Sequence, residues 1–219
     1  MELRLAFFVM AALFAQASAG SLLPQSKQAA FSFANAQYFH RYTKDDLYEF
    51  TPDGQTNLDA WTDMVTINVS LPANSFWCFG LKIARKLAFL NILYASMNLP
   101  SNLYPKAKDG DGLAAMANAV LENYQMNKGT VVKTDSVPRT KDKPAEHLIA
   151  VVFSRAMFME AVFARFKMHE GIGSAVIYSH RAYGKNASEE MRAWLGKNGP
   201  MTEKKLLAWD AMPKLAALK

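Results

Sequence analysis

The sequence predicts an α+β fold, one mainly antiparallel sheet of about five to six strands packed with helices in one domain. Three observations carry this. Apolar residues alternate with period two in several short runs, as in Val65, Ile67 and Val69. One segment instead repeats them at helical spacing: Leu113, Met116, Ala117, Val120, Leu121 and Tyr124. After that helix the strand candidates follow one another directly, which favours antiparallel pairing over βαβ units.

The chain opens MELRLAFFVMAALFAQASAGS. Arg4 supplies a charged start, Leu5 to Phe14 an apolar run, and Ala17-Ser18-Ala19 the small residues of a cleavage site. A membrane anchor needs roughly 20 apolar residues, and this run is about half that. Residues 1–19 are therefore expected to be a cleaved signal peptide, which makes the mature protein periplasmic or secreted. Residues 20–44 read as a lead-in, small, polar and Gln/Ala-rich over 20–37. Residues 45–213 form the expected single domain.

Leu47 to Phe50 is a strand candidate stopped by the turn Pro52-Asp53-Gly54. Gln55 to Trp61 suits a helical turn, and Met64 to Val69 a half-buried strand. A helix over 113–127 is capped by Asp111 and ended by Asn127 to Gly129. Thr130 to Val137 alternates as a strand, Pro138 to Pro144 is a charged loop, and His147 to Ser154 is apolar and β-branched enough for a central strand. Residues 156–168 fit two patterns. Phe158, Glu160, Val162, Ala164 and Phe166 share a strand face, whereas Met159, Val162, Phe163 and Phe166 group at helical spacing. The break at Gly171 to Gly173, followed by a strand over Ala175 to Tyr183, favours an antiparallel pair joined at 170–173. Ser188 caps a helix through Trp194, with Glu189 and Glu190 in its first turn. Gly199-Pro200 ends it, and Thr202 opens a short second one.

Residues 76–99, FWCFGLKIARKLAFLNILYASMNL, are apolar and cationic with no acidic residue. Lys82, Arg85 and Lys86 count against a bilayer span, since each would cost about 2.5–3.5 kcal/mol near the membrane centre. Three readings stand. The stretch is a docked core helix, a membrane-surface helix, or part of an insertion at 71–103. Excising that insertion would leave strand, turn and helix joined by a connection of ordinary length.

The 25 Lys and Arg against 19 Asp and Glu give a net charge of +6, spread along the chain. No basic block interleaves with aromatics as a nucleic-acid groove requires, so no nucleic-acid partner is expected. The single cysteine, Cys78, excludes an internal disulfide and reads as an inert buried thiol.

Catalytic signatures are few. His40, His147, His169 and His180 have no metal-ligand spacing, and neither a GxSxG nor a Gly-rich phosphate loop occurs. Asp109-Gly110-Asp111-Gly112 lacks the remaining ligands of a calcium loop. No metal and no cofactor are expected. The richest polar cluster is Tyr178-Ser179-His180-Arg181. There His180 could form an acid/base pair with Glu160 or Glu170, and Arg181 could hold a carboxylate or phosphate. The weak catalytic candidates are thus His180, Arg181 and Glu160, set against ordinary cross-strand pairs. Asn68-Val69-Ser70 and Asn186-Ala187-Ser188 match the glycosylation pattern.

Four stretches carry a resemblance: Trp61-Thr62-Asp63-Met64-Val65-Thr66-Ile67, Asp109-Gly110-Asp111-Gly112-Leu113, Pro144-Ala145-Glu146-His147-Leu148-Ile149 and Tyr178-Ser179-His180-Arg181. Together they resemble an uncharacterised family of small exported bacterial proteins, over most of residues 45–210. The element order is similar to the PsbP/Mog1-like α/β/α sandwich, a fold of accessory and binding proteins. The resemblance implies fold and compartment, brings no catalytic motif, and is broken by residues 71–103.

The expected function is that of an exported non-catalytic accessory or binding protein, with an unidentified protein or cell-envelope component as partner. The alternatives are a small hydrolase or transferase centred on His180 and Arg181, and a membrane-surface protein acting through 76–99.

Overall fold

Phe31 and Phe33 flank Ser32, and Ala34 and Asn35 both take left-handed backbone (φ 50° and 72°), so the chain reverses in two residues. This hairpin joins β1 (Phe31–Phe33) to β2 (Ala36–Lys44). The structure, a computed structural model, describes residues 28–44, 46–69, 111–170 and 172–215. The expected signal peptide at 1–19, Cys78, the stretch 76–99 with its insertion at 71–103, and the turn at 109–110 lie outside the described residues.

Beyond β2 come β3 (Leu47–Pro52), β4 (Asp63–Val69), helix α1 (Asp111–Met126), β5 (Thr130–Val137), β6 (Glu146–Ser154), β7 (Phe158–His169), β8 (Ile172–Tyr183) and helix α2 (Ala187–Ala208). The strands form one sheet in the order β1-β2-β3-β4-β8-β7-β6-β5, antiparallel throughout. It consists of two four-stranded meanders that meet where β4 pairs with β8, from Asp63 opposite His180 to Val69 opposite Ser174.

The α+β class holds, but the sheet has eight strands rather than five or six. The additional two are β1 and β2, inside the stretch read as a lead-in. Its small polar composition hides an alternating aromatic set, Phe31, Phe33 and Tyr38, that is buried against Phe50 and Tyr178. Residues 55–61 form turns rather than a helical turn. There the Asn57 side chain accepts the Asp59 N–H at 2.9 Å, offering the backbone a non-helical partner. The ambiguous segment resolves as strands, with β7 and β8 forming a long hairpin whose turn holds Glu170 at φ 50°.

Among the described residues each face of the sheet carries one helix. α1 lays Leu113, Met116, Ala117, Val120 and Tyr124 on Ile149, Val151, Phe153, Val162, Ala164 and Phe166. It ends where Lys128 turns left-handed (φ 62°) and the Gly129 N–H reaches the Tyr124 carbonyl at 2.8 Å. Any side chain at 129 would meet Val151 Cγ1 at 2.6 Å and the Tyr124 oxygen at 2.7 Å, so glycine is required there by close approach.

On the other face α2 buries Ala187, Met191, Gly199, Thr202 and Leu206 against β7 and β8. It is one continuous helix, not two, and Pro200 lies inside it. Packing on Phe163 and its neighbours holds the backbone helical where Gly199-Pro200 alone would stop it. Its N-cap is Asn186, so Ser188 sits within the first turn instead of capping it. At the far end Arg165 of β7 caps the helix. Its Nη1 donates to the Leu206 carbonyl at 2.9 Å and the Trp209 carbonyl at 2.6 Å, while its Nε donates to Glu146 Oε2 at 2.7 Å. Among the described residues no helix is long and apolar enough to cross a membrane.

Candidate functional site

Strand β8 points Tyr178, His180 and Ala182 to the α2 face and Ser179, Arg181 and Tyr183 to the α1 face. The candidate cluster is therefore split by the sheet. His180 and Arg181, adjacent in sequence, lie on opposite sides of it.

On the α2 face His180 stands directly across the ladder from Asp63. The His180 Nδ1–H donates to Asp63 Oδ1 at 3.0 Å, and the Tyr178 hydroxyl donates to the same oxygen at 2.6 Å. Gln55 Oε1 accepts the backbone N–H groups of Thr62 and Asp63 at 2.7 and 2.9 Å, fixing the approach to β4. Trp194 of α2 covers the imidazole, with ring centroids 4.1 Å apart and planes 8° from parallel. Burial pushes the Asp63 carboxyl up, but the hydrogen bonds from His180 and Tyr178 and the charge of His180 outweigh it and hold the group below the usual carboxylate range. Burial and then the Asp63 charge raise the Tyr178 phenol well above its ordinary value, so it stays a donor. This geometry fixes one histidine tautomer and leaves Nε2 as the basic nitrogen. Among the described residues no serine, threonine or cysteine side chain hydrogen-bonds that ring.

On the α1 face the Arg181 guanidinium donates through Nε to Glu160 Oε2 at 3.1 Å, and Nη2 lies 3.0 Å from the same oxygen. Its Cζ sits 3.8 Å from the Trp61 ring centroid and 4.1 Å from that of Phe158. Tyr183 donates its hydroxyl to the Trp61 carbonyl at 2.7 Å and packs on Phe158.

Glu160 is thus the partner of Arg181, not of His180, and Glu170 lies in the turn at the opposite end of β8. The acid facing His180 is Asp63. Sequence reasoning passed over it because it precedes the apolar run of β4. Its shared parity with Val65 and Ile67, a carboxylate on an apolar face, was the available signal.

His147 and His40 are engaged locally. His147 Nδ1 lies 3.0 Å from Ser136 Oγ across the β5–β6 ladder, and burial lowers its basicity. His40 Nε2 lies 2.7 Å from Thr43 Oγ1. Among the described residues no three metal-ligating side chains converge. Asn68 is 1% exposed, so its glycosylation pattern is closed to modification in the folded protein. Among the described residues neither polar atom of its side-chain amide has a hydrogen-bond partner. An open groove of about 560 Å³ lies elsewhere, between β5 and α2, lined by Lys133, Pro200, Glu203, Lys204 and Leu207.

No protein-family model matches this chain, and no match is found among the curated proteins.

Proposed function

We propose that this is an exported, non-catalytic accessory protein, periplasmic or secreted, that binds a protein or a cell-envelope component. One observation carries the reading. The side chains with catalytic potential are committed to one another, Asp63 with His180 and Tyr178, Glu160 with Arg181, on opposite faces of the sheet. Arg181 has given its charge to Glu160 and its flat faces to Trp61 and Phe158, so it holds no anion. Beside it Tyr183 is 37% exposed and Met157 76%. An arginine set among aromatics with apolar neighbours in solvent is the composition of interface hot spots, and this end of the sheet is the proposed contact surface.

The test is photo-crosslinking of the full chain in its native envelope, with the crosslinker at Tyr183, at Met157 or, as control, at Glu122 on the outer side of α1. The reading expects one saturable adduct from Tyr183 and Met157 and none from Glu122. Equal labelling from all three positions sinks it.

A second reading is favoured by the Asp63–His180 pair, because a carboxylate that orients Nδ1–H leaves Nε2 to act as a general base in a small hydrolase or transferase. It no longer includes Arg181. Turnover of simple chromogenic esters, phosphoesters or glycosides that disappears in His180→Gln would establish it in place of the binding reading. The membrane-surface alternative rests on residues 76–99, outside the described residues.

A further inference from the structure

Strand β5 closes one edge of the sheet, and among the described residues no strand covers its outer side. The opposite edge, β1, is only three residues long. An exposed strand of eight residues is a template for pairing, and edges of this kind are usually blunted by a bulge, a lysine or a proline. β5 has a bulge and a lysine, but they leave its centre open. The register shift lies between Val131 and Lys133, so the strand from Lys133 to Val137 stays regular opposite Ala150 to Glu146. Pro138 follows only after the last residue. Val132 and Val137 are 54% and 40% exposed.

The lysine has a counterpart on its own strand. Lys133 and Asp135 point to the same face, 3.3 Å apart, with both side chains nearly half exposed, and the Lys133 ammonium is also ion-paired with Glu203 of α2. Two copies of β5 joined antiparallel by a two-fold axis normal to the sheet must pair about a central residue with itself. Centred on Lys133 or on Asp135, that pairing sets like charges face to face. Centred on Thr134, it sets Lys133 of each copy against Asp135 of the other, with the two threonines opposed, and both kinds of cross-strand pair are favourable. A lone edge lysine repels a second copy, whereas Lys-Thr-Asp is complementary to itself.

We infer that β5 joins two copies of this chain edge to edge, in the register centred on Thr134, into one continuous sheet. The α1 helices then share one face and the α2 helices the other, and the surface around Tyr183 stays uncovered.

The full chain carrying Cys78→Ser, with either Thr134→Cys or Thr130→Cys, tests the register. Opposed residues of antiparallel strands have Cα atoms about 4.5–5.5 Å apart, within disulfide range. Mild oxidation should give a reducible dimer from Thr134→Cys and little from Thr130→Cys. Sedimentation equilibrium tests the charges. Lys133→Glu or Asp135→Lys alone should raise the dimer dissociation constant about tenfold, since each turns two attractive pairs repulsive. The double variant Lys133→Asp/Asp135→Lys should restore it. Thermal melts of each variant verify that the fold is intact. A chain that stays monomeric throughout, a dimer indifferent to the charge variants, or equal crosslinking at 130 and 134 overturns the inference.

Discussion

Asp63 and His180 face each other across the ladder that joins the two meanders, and one carboxylate oxygen serves both the imidazole and the Tyr178 hydroxyl. The pair is a fastening between halves of the sheet before it is anything else. Asp63→Ala should lower stability by about 2–3 kcal/mol, the scale for losing hydrogen bonds to a partly buried charge. Urea unfolding at neutral pH measures it, and a loss below about 0.5 kcal/mol would show that the pair is not structural. The folded-state pKa of Asp63 is depressed, so its contribution is fully present above the unfolded value of about 4 and declines as pH falls through the folded value. Asp63→Asn should accordingly be costly at pH 7, with the cost shrinking as pH falls below about 4.

His40 and His147 both have depressed basicity, chiefly because burial disfavours the imidazolium. A depressed folded pKa means the unfolded chain binds more protons in the window just below about pH 6.5. Stability should therefore fall as pH drops from 7 towards 5. His147→Gln, which removes one of the two titrating groups, should flatten that slope in a series of denaturant melts. An unchanged slope would exclude His147 as a contributor.

Arg165 is 3% exposed and ties β7 to Glu146, to the Leu206 and Trp209 carbonyls and to Asp210. Arg165→Ala leaves Glu146 and the last carbonyls of α2 without their donor, and should cost about 3–5 kcal/mol. Hydrogen exchange should then show the end of α2 opening well before the sheet.

Gly196 lies inside α2 with open space where a Cβ would go. Gly196→Ala should raise stability by about 0.5–1 kcal/mol through helix propensity alone. Gly129→Ala should do the reverse, because its Cβ would press on the Tyr124 carbonyl and Val151, with a cost of about 1–3 kcal/mol. Thermal melts of the two variants should move in opposite directions.

The Asn68 amide is buried on β4, and among the described residues both its polar atoms are unpaired. An apolar side chain of similar shape removes that desolvation penalty, so Asn68→Leu should stabilise the protein by about 1–2 kcal/mol. A destabilised variant would mean the amide has a partner in solution.

What the sequence made legible follows from how locally each feature is encoded. β4, β6 and α1 carry periodicities long enough to decide their type, and the glycines at 171 and 173 broke the segment that became the β7–β8 hairpin. β1 and β2 were missed because Phe31, Phe33 and Tyr38 sit among Ala, Ser, Gln and Asn, and because a turn through Ala34-Asn35 lacks the glycine that usually marks it. α2 was cut at Gly199-Pro200 because propensity is local, whereas the packing of Met191, Thr202 and Leu206 on β7 and β8 is not. The candidate site was half legible. His180, Arg181 and Glu160 were named, but which acid serves which base depends on a register between strands more than a hundred residues apart, and Asp63 had no motif to announce it.

That register should make the centre of the sheet the last part to close. Each meander turns through near neighbours in sequence and can take shape from local contacts, whereas β4 and β8 must find each other across an intervening 117 residues' worth of chain separation at Asp63 and His180. The core on the α2 face belongs to both halves, since Phe33 in the first packs on Tyr178 in the second and Phe31 reaches Trp209 beyond α2. The two meanders are like facing pages of a book with its spine along β4 and β8. An opened spine would expose aromatic rings on both pages at once, so the two should open together.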